Sequence, residues 1–308
     1  MVERPGMMPP VQGGPPPRRR LPARTVATRR ALAVAGLLVG VGIAVWVGAS
    51  ALGGDSNNVT GAVLVAPAPK PLRIIFPEGF NRLEMASRVD AVRKIATKKR
   101  KITPRITAKS YLAATAKARP PVGFPRNQRL EGFLFPATYE FTETTTAKEL
   151  VAEQLESFRV NWSKVDLRAA RKKNLTAYDV LIIASMIEKE TIAPDERPLV
   201  AAVIYNRLRV RMPLGIDATI RYGLNVAGTE SLRQSQLDSD NPYNTRRTLG
   251  LPPTPIANPG LASMQAAAHP VKRDYLFFVR KPDRVHHFFT ASEAEFYAKA
   301  CEYGYGCR

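Results

Sequence analysis

The feature that most constrains this 308-residue chain is a run of 22 residues without a charge, residues 31–52. As an α-helix the run would be about 33 Å long, against a bilayer hydrocarbon core of about 30 Å. Six of the seven arginines that precede it lie close to it, at positions 18–20, 24, 29 and 30, whereas Gly53, Gly54 and Asp55 follow it. The positive-inside rule then places residue 1 in the cytoplasm and residues 53–308 outside. The sequence therefore predicts a single-pass, N-terminal transmembrane helix.

A cleaved signal peptide is the alternative interpretation of the same run. Ala49-Ser50-Ala51 has the small residues of a cleavage site. However, the 30-residue basic leader and the 22-residue run are both longer than a signal peptide requires, since its apolar region spans about 7 to 15 residues. The membrane anchor is therefore favoured.

The chain is strongly basic, with 46 Lys and Arg against 26 Asp and Glu, a net charge of +20 and a pI of about 10.3. Residues 1–30 contribute +6 and residues 93–119 contribute +10, the latter from ten basic residues and no acid. No nucleic-acid partner is expected, because one block flanks the apolar run and the other lies in the part predicted to be outside the cytoplasm. Two interpretations of residues 93–119 stay open: a solvated face, and a contact with anionic polymers or phospholipid headgroups.

Composition and periodicity divide the chain into six segments and favour an α+β fold. The leader is rich in Pro, Gly and Arg and predicts a disordered tail, while short β-branched runs alternate with helical patterns after the linker. The predicted segments are a cytoplasmic tail 1–30, a transmembrane helix 31–52, a linker 53–71, a small α/β module 72–120, a mixed α+β domain 121–300 and a C-terminal tail 301–308.

Local patterns predict individual elements within the two folded segments. In the small module they predict a strand at Arg73–Phe76, a helix at Leu83–Ile95 and a second helix after Thr107. In the larger domain they predict a helix at Asp195–Arg209, a long irregular stretch over 225–258, a helix from Asn258 to Ala268, strands at Asp274–Val279 and Val285–Phe289, and a last helix that Thr290 caps.

The segment from Thr176 to Thr191 is the most informative one for chemistry. Thr176 and Asp179 resemble a capping box, and Val180–Ile187 carries no charge, so the predicted helix is buried nearly all round and delivers Glu188 at its C-terminal end. Apolar surroundings and the negative helix end both disfavour a carboxylate there. A protonated carboxylic acid is what general-acid cleavage of a glycosidic bond requires. In the alternative interpretation, Glu188 and Glu190 simply end the helix in solvent.

A polar segment within the irregular stretch is the second candidate for ligand contact. Asn241-Pro-Tyr-Asn-Thr-Arg246 combines amide, aromatic and basic groups, which suit stacking on sugar rings and hydrogen bonds to hydroxyl groups. An ordinary turn cluster is the alternative, because Asn-Pro is by itself a turn signal.

Eight motifs in a fixed order resemble the YceG-like family, chiefly over residues 130–289. They are Leu130-Glu-Gly-Phe-Leu-Phe-Pro-Ala-Thr-Tyr139, Ala184-Ser-Met-Ile-Glu-Lys-Glu-Thr191, Tyr205-Asn-Arg-Leu208, Met212-Pro-Leu214 with Asp217 and Thr219, Pro242-Tyr-Asn-Thr245, Gly250 to Gly260, Asp274-Tyr-Leu-Phe-Phe-Val279, and His287-x-Phe289. The chain departs from the family pattern at Gly215 and Ala218, where Gln and Pro are common, and at Phe296-Tyr297, where His-Asn is common.

The resemblance implies a bacterial cytoplasmic-membrane protein whose domain outside cleaves peptidoglycan. The expected activity is endolytic lytic transglycosylation of nascent glycan strands between N-acetylmuramic acid and N-acetylglucosamine, leaving 1,6-anhydro ends and limiting glycan length. It places the catalytic residue at Glu188 and identifies residues 72–119 as a LysM-like subdomain. The candidate substrate-binding residues lie in these motifs, apart from Tyr222, which follows Thr219 by three positions; they are Glu131, Glu190, Asn206, Asp217, Thr219, Tyr222, Tyr243, Asn244 and His287.

The expected partners are peptidoglycan glycan strands, the membrane, and penicillin-binding or other wall-synthesis proteins. No metal and no cofactor are expected, because the chain has three His without zinc-like spacing and no phosphate-binding loop. A scaffold that binds peptidoglycan without cutting it is the alternative function. Cys301 and Cys307, the only cysteines, either close a small disulfide loop or stay reduced on a frayed terminus.

Overall fold

The computed structural model describes residues 71–307, which lie within one compact unit spanning 67–308. Within residues 71–307, no helix is both long and apolar enough to cross a membrane. The predictions of a tail over 1–30, a transmembrane helix over 31–52 and a linker over 53–71 concern residues outside the described part, apart from Pro71.

The described residues form a mixed α+β fold, as predicted. Ten α-helices surround two separate two-stranded antiparallel sheets in this part of the chain. In chain order the elements are β1 (Leu72–Ile75), α1 (Arg82–Arg100), α2 (Ala108–Lys117), β2 (Thr138–Phe141), α3 (Ala147–Trp162), α4 (Arg168–Arg171), α5 (Ala177–Glu190), a 3₁₀ turn (Pro194–Glu196), α6 (Arg197–Arg209), α7 (Asp217–Leu224), α8 (Gln234–Leu237), α9 (Leu261–Ala268), β3 (Phe277–Arg280), β4 (His287–Thr290) and α10 (Glu293–Glu302).

The first sheet and a helical hairpin make up the start of the fold. Strand β1 pairs with β2 in antiparallel register, with Leu72 opposite Phe141, and α1 packs against α2. Capping boxes begin both helices, with Asn81 capping α1 and Thr107 capping α2. The predicted strand and both predicted helices of the small module are confirmed. Because β1 takes its partner from Thr138–Phe141, the sheet of this module extends beyond the predicted boundary at residue 120.

Helix α5 is the centre of the hydrophobic core. Its capping box joins Thr176 and Asp179, and every residue of Val180–Ile187 is buried. The helix packs on α9, α6 and α7, so apolar neighbours cover it on several sides. The prediction of a capped helix that is buried nearly all round is confirmed.

The second sheet begins and ends later in the chain than predicted. Its strands cover Phe277–Arg280 and His287–Thr290. The difference at β4 arises because the Asp283 carboxylate accepts hydrogen bonds from the backbone N–H groups of Val285 and His286, which form a turn before pairing starts.

The predicted cap of the last helix is wrong by two residues. Thr290 lies in β4 opposite Phe277, so its backbone is extended, and Ser292 instead accepts the hydrogen bond of the Glu295 N–H. At the end of this helix Cys301 and Cys307 form a disulfide. Of the two alternatives for the cysteines, the disulfide is therefore the one found, and it links the C-terminal end of α10 to the residues that follow it.

Candidate active site

Glu188 lies where the C-terminal end of α5 meets the N-terminal end of α9. Its Oε2 accepts a hydrogen bond of 2.9 Å from the Gly260 N–H, the residue that caps α9. The guanidinium group of Arg197 lies 4.0 Å from Oε1, and only 6% of the Glu188 side chain is exposed. The N-terminal end of α9, the Gly260 amide and Arg197 thus surround this carboxyl group, and the sequence interpretation of α5 alone did not include these contacts. Glu188 does not end the helix in solvent.

A second carboxyl group, that of Glu78, lies beside the first one. A Cβ atom built on Gly260 would stand 1.7 Å from Glu78 Oε1, so the carboxyl group packs directly on the Gly260 backbone. Partial burial raises the pKa of Glu78, the charge of Glu188 raises it further, and Arg197 opposes both. Two carboxyl groups therefore converge on Gly260.

Sequence reasoning missed Glu78, because Pro77-Glu78-Gly79 has the composition of an ordinary turn. Gly79 adopts a φ of 79°, and a Cβ atom built there would lie 3.6 Å from Glu188 Cγ. The Gly79 carbonyl accepts a hydrogen bond of 3.2 Å from Lys189 Nζ. The turn thus covers the end of α5, although Gly79 and Lys189 are about 110 positions apart in the chain.

Asn258 connects this turn to two other segments of the fold. Its Oδ1 accepts hydrogen bonds of 2.9 Å from the N–H groups of Gly132 and Leu134. Its Nδ2 donates to the Phe80 carbonyl at 2.9 Å and to Glu131 Oε1 at 3.0 Å, and the residue is fully buried. The backbone N–H of Gly79 also donates to the Asn258 carbonyl. Asn258 therefore fixes the turn that carries Glu78, two residues before Gly260.

Glu131, a predicted substrate-binding residue, is 3% exposed and takes part in the same network. Its carboxylate accepts hydrogen bonds from the Arg82 N–H, the Tyr222 hydroxyl and Asn258. Burial raises the pKa of Glu131 to about 7, and the bonds from Arg82 and Tyr222 oppose this shift. In this position Glu131 supports the start of α1 from inside the fold.

A cleft of about 680 Å³ adjoins the end of α5 and lies between α1 and α7. Its walls carry aromatic rings, basic groups and apolar surface, supplied among others by Phe80, Arg88, Lys189, Arg221, Tyr222 and Ile256. Lys189 is the immediate neighbour of Glu188, and Phe80 follows the turn that carries Glu78. Aromatic faces suit sugar rings and the cations suit carboxylates, which makes the cleft a candidate substrate groove.

Glu190 lies in a different environment from Glu188. Burial raises the pKa of Glu190 to about 7 and the charge of Asp217 raises it further, while Arg280, Arg246 and Lys189 oppose the shift. Asp217 itself accepts a hydrogen bond of 2.7 Å from Arg246 Nε. The two glutamates therefore belong to different clusters of charged groups. This is expected, because residues two positions apart point about 200° away from each other around a helix.

Comparison with known proteins identifies the family. Residues 54–302, most of the chain, match the YceG-like family.

The chain belongs to the YceG-like family.

Two curated YceG-like relatives show the similarity in detail. The chain is 39% identical over 154 residues to an endolytic murein transglycosylase of Bacillus subtilis, covering 49% of this chain and 42% of that protein. It is 38% identical over 156 residues to an endolytic murein transglycosylase of Streptococcus pneumoniae, covering 49% of this chain and 28% of that protein. The matched region is thus less than half the length of these relatives.

A solved structure supports the YceG-like fold. The crystal structure of a YceG-like protein from Listeria monocytogenes superimposes with a TM-score of 0.60 at 28% sequence identity. The match covers 72% of this chain and 74% of that one. The structural match therefore covers a larger share of this chain than the sequence matches to the two curated relatives do.

Four predicted substrate-binding residues of this YceG-like chain are bonded within the fold. Asn206 donates to the carbonyls of Arg273 and Tyr275, and the fully buried Thr219 donates to that of Ile216. The fully buried Asn244 donates to the carbonyls of Leu237 and Ser239. His287 Nδ1 lies 2.7 Å from the Glu196 carboxylate, and both side chains are almost completely buried.

The two predicted tyrosines lie close together, and one of them reaches the cleft. Tyr222 lines it and contacts the ring of Tyr243 with a centroid distance of 5.2 Å. The Tyr243 hydroxyl is hydrogen-bonded to Thr254 at 2.8 Å. The structure thus brings Glu131, Tyr222 and Tyr243 together, keeps Glu190 with Asp217, and places His287 and Asn206 with the second sheet. Within residues 71–307 no group of three or more His, Cys, Asp or Glu side chains is arranged to hold a metal ion.

Proposed function

We propose that this YceG-like protein is an endolytic lytic transglycosylase of peptidoglycan. The carrying observation is that Glu188 and Glu78 converge on Gly260, and that Lys189 and Phe80, which lie one and two residues from them in the chain, line a cleft with aromatic and basic groups. The two bacterial relatives are named endolytic murein transglycosylases, which supports the same activity. The substrate is a glycan strand of alternating N-acetylmuramic acid and N-acetylglucosamine, cut within its length.

In the proposed reaction Glu188 acts first as an acid and then as a base. Its carboxyl proton moves to the glycosidic oxygen, and the bond between that oxygen and C1 of the muramyl residue breaks. The muramyl 6-hydroxyl oxygen then bonds to C1, and its proton returns to the Glu188 carboxylate. The product end is a 1,6-anhydro sugar, and the carboxyl group is restored without a cofactor.

Glu78 is the second carboxyl group in this proposal. A carboxylate beside the reacting carbon stabilises the positive charge that develops on the sugar ring in the transition state. The Gly260 N–H holds the Glu188 carboxylate in place between its two proton transfers, because it donates to Oε2. Lys189, which lines the cleft, links α5 to the Glu78 turn, because its Nζ donates a hydrogen bond to the Gly79 carbonyl.

The test compares Glu188→Gln with Glu190→Gln on purified glycan strands. Glu188→Gln keeps size and hydrogen-bonding reach but removes the transferable proton, so cleavage should fall by about 10²-fold or more, and Glu190→Gln should lose far less. Mass analysis of the wild-type products should find 1,6-anhydro ends, because an oriented intramolecular hydroxyl outcompetes water. Loss of activity in Glu190→Gln alone would reject the assignment.

The remaining outcomes of this test separate two other functions. Products with free reducing ends would make the protein a hydrolytic muramidase. Strand binding without any cleavage by the wild-type protein would make it a scaffold.

We further propose the cellular arrangement that the sequence predicts. The charge-free run 31–52 anchors the chain in the cytoplasmic membrane with the tail 1–30 inside and the catalytic domain outside. Residues 72–120, with β2 as the partner strand of β1, form the LysM-like subdomain, and residues 121–300 form the catalytic domain. Residues 301–308 are the C-terminal tail, whose first two residues complete α10. Penicillin-binding and other wall-synthesis proteins are the proposed protein partners, since they make the strands that this enzyme would cut.

A further inference from the structure

The helical hairpin of α1 and α2 carries an unpaired basic surface at one end. Helix α1 ends and α2 begins there, and seven exposed cations lie around that turn. Arg105 interacts with the Glu149 carboxylate. We name the surface formed by the other six the basic tip, and its residues are Lys94, Lys98, Lys99, Arg100, Lys101 and Lys109. None of the ion pairs between residues 71 and 307 involves a residue of the basic tip. The tip therefore presents net positive charge with no acidic partner in this part of the fold.

An exposed apolar side chain lies among these cations. Ile95 keeps 56% of its surface accessible and is preceded by Lys94. Lys98 and Lys99 follow at positions i+3 and i+4, on the same face of α1. Basic residues around an accessible apolar one are typical of surfaces that rest on a lipid headgroup layer, where the cations contact phosphates and the apolar group enters the interface.

The folded domain starts at the same tip. Arg100 Nη1 donates a hydrogen bond of 3.1 Å to the Pro71 carbonyl, at the first described residue. Only 18 residues, 53–70, separate Pro71 from the charge-free run 31–52. Such a segment spans at most about 60 Å when fully extended. If the run is the anchor, the tether therefore joins the folded domain at Pro71, beside the basic tip.

We propose that the basic tip binds the anionic phospholipid headgroups of the membrane in which the chain is anchored. The proposal rests on the proposed anchor only for the tether, which raises the local concentration of the lipid surface around the tip. The cleft lies along the other half of α1, where Arg88 is about 17 Å from Lys99 along the helix axis. Binding of the tip would hold the cleft at a fixed height above the membrane.

The test uses the full chain reconstituted into vesicles, with a polarity-sensitive fluorophore attached at Ile95→Cys. Cys301 and Cys307 are joined in a disulfide, so under non-reducing conditions only position 95 is labelled. Vesicles of phosphatidylcholine alone are compared with vesicles that contain about one third phosphatidylglycerol. The probe emission should shift to shorter wavelength, and nitroxide-labelled lipid should quench it, only in the anionic vesicles. High salt should reverse both effects.

A neutralised variant and a matched control decide whether the charges are responsible. Replacing Lys94, Lys98, Lys99 and Lys109 with Gln should lower the ratio of bound to free tips by about 100-fold or more. The control replaces four exposed lysines elsewhere, Lys164, Lys172, Lys173 and Lys272, and should leave the probe signal unchanged. Thermal melting checks that both variants fold.

Three outcomes would overturn the proposal. They are an equal probe response on both vesicle types, a response that survives the four tip substitutions, and a response to soluble polyphosphate but not to anionic vesicles. The last would make a polyanionic polymer the occupant. Alkaline extraction of the same vesicles tests the anchor separately, and glycan cleavage in detergent tests the proposed enzyme, so neither failure can be mistaken for a failure of the tip.

Discussion

At the scale of single residues, Glu131 shows how a buried carboxyl group makes stability depend on pH. The folded protein raises its pKa from 4.5 to about 7, so between these values the folded chain keeps a proton that the unfolded chain has released. Stability due to this group therefore falls as pH rises from about 4.5 to 7, by about 3 kcal/mol in total.

Glu131→Gln should remove this pH dependence, because an amide does not titrate. Urea unfolding of both proteins at several pH values measures the difference, and the stability of the variant relative to wild type should increase with pH. The similar group Glu190 is present in both proteins, so its contribution cancels. A difference that stays constant from pH 4.5 to 7 would show that Glu131 has an ordinary pKa in the folded state.

Gly260 allows the carboxyl groups of Glu78 and Glu188 to pack against the same stretch of backbone, because it has no side chain. A methyl group at this position would overlap Glu78, whose Oε1 lies 1.7 Å from the site of a Cβ atom. We expect Gly260→Ala to displace Glu78 and to weaken the hydrogen bond to Glu188, lowering kcat by about 10-fold or more while the fold survives. The control is Gln265→Ala, an exposed position on the same helix, which should keep wild-type kcat. Unchanged kcat in Gly260→Ala would exclude a role for the carboxyl pair.

At the scale of elements, the turn that carries Glu78 is held against the end of α5 by contacts between loops. Asn258 joins the segments that contain Phe80, Glu131 and Gly132 through side-chain hydrogen bonds that lie in the core. Asn258→Ala leaves several buried polar groups without partners, which should destabilise the protein by about 2 to 4 kcal/mol. Asn161→Ala, whose side chain bonds only within its own turn and to Lys164, should cost less than about 1 kcal/mol.

Chemical unfolding of these two asparagine variants provides the measurement. A further readout distinguishes a local effect from a general one: hydrogen exchange of the Gly79 and Phe80 amides should accelerate in Asn258→Ala before the core of α5 is affected. Equal destabilisation by the two substitutions would mean that the loops are held by their backbones alone.

At the scale of the whole molecule, the predicted topology can be tested independently of catalysis. The seven arginines before residue 31 and Asp55 after the charge-free run predict that residue 60 lies outside the cytoplasm. A reporter that is active only in the cytoplasm should be inactive when fused at residue 60, and active when it replaces the residues before the run. A mature N-terminus near Leu52 would instead favour the cleaved signal peptide.

Much of the local structure follows from sequence patterns that act over a few residues. The capping pair Thr176 and Asp179 and the apolar run after them determine α5, and its end places a glutamate at position 188. The motif series predicted the family that the comparison confirms. Patterns were less accurate where two signals compete: Thr290 has the spacing of a cap, but pairing with Phe277 holds it in a strand.

The long-range partners of the candidate site were decided only by the tertiary structure. Glu78 is about 110 residues from Glu188 in the chain, and Gly260 is 72 residues away from it in the other direction. No local periodicity encodes such contacts, because they depend on how β1, α5 and α9 pack around a shared core. Likewise, Thr219, Asn244 and His287 carry groups able to bind sugars, yet their burial and internal hydrogen bonds could be known only once the chain had folded. The preference of a segment for helix or strand is thus determined by neighbouring residues. The desolvation and pairing of a polar group instead depend on segments that come together from distant parts of the sequence.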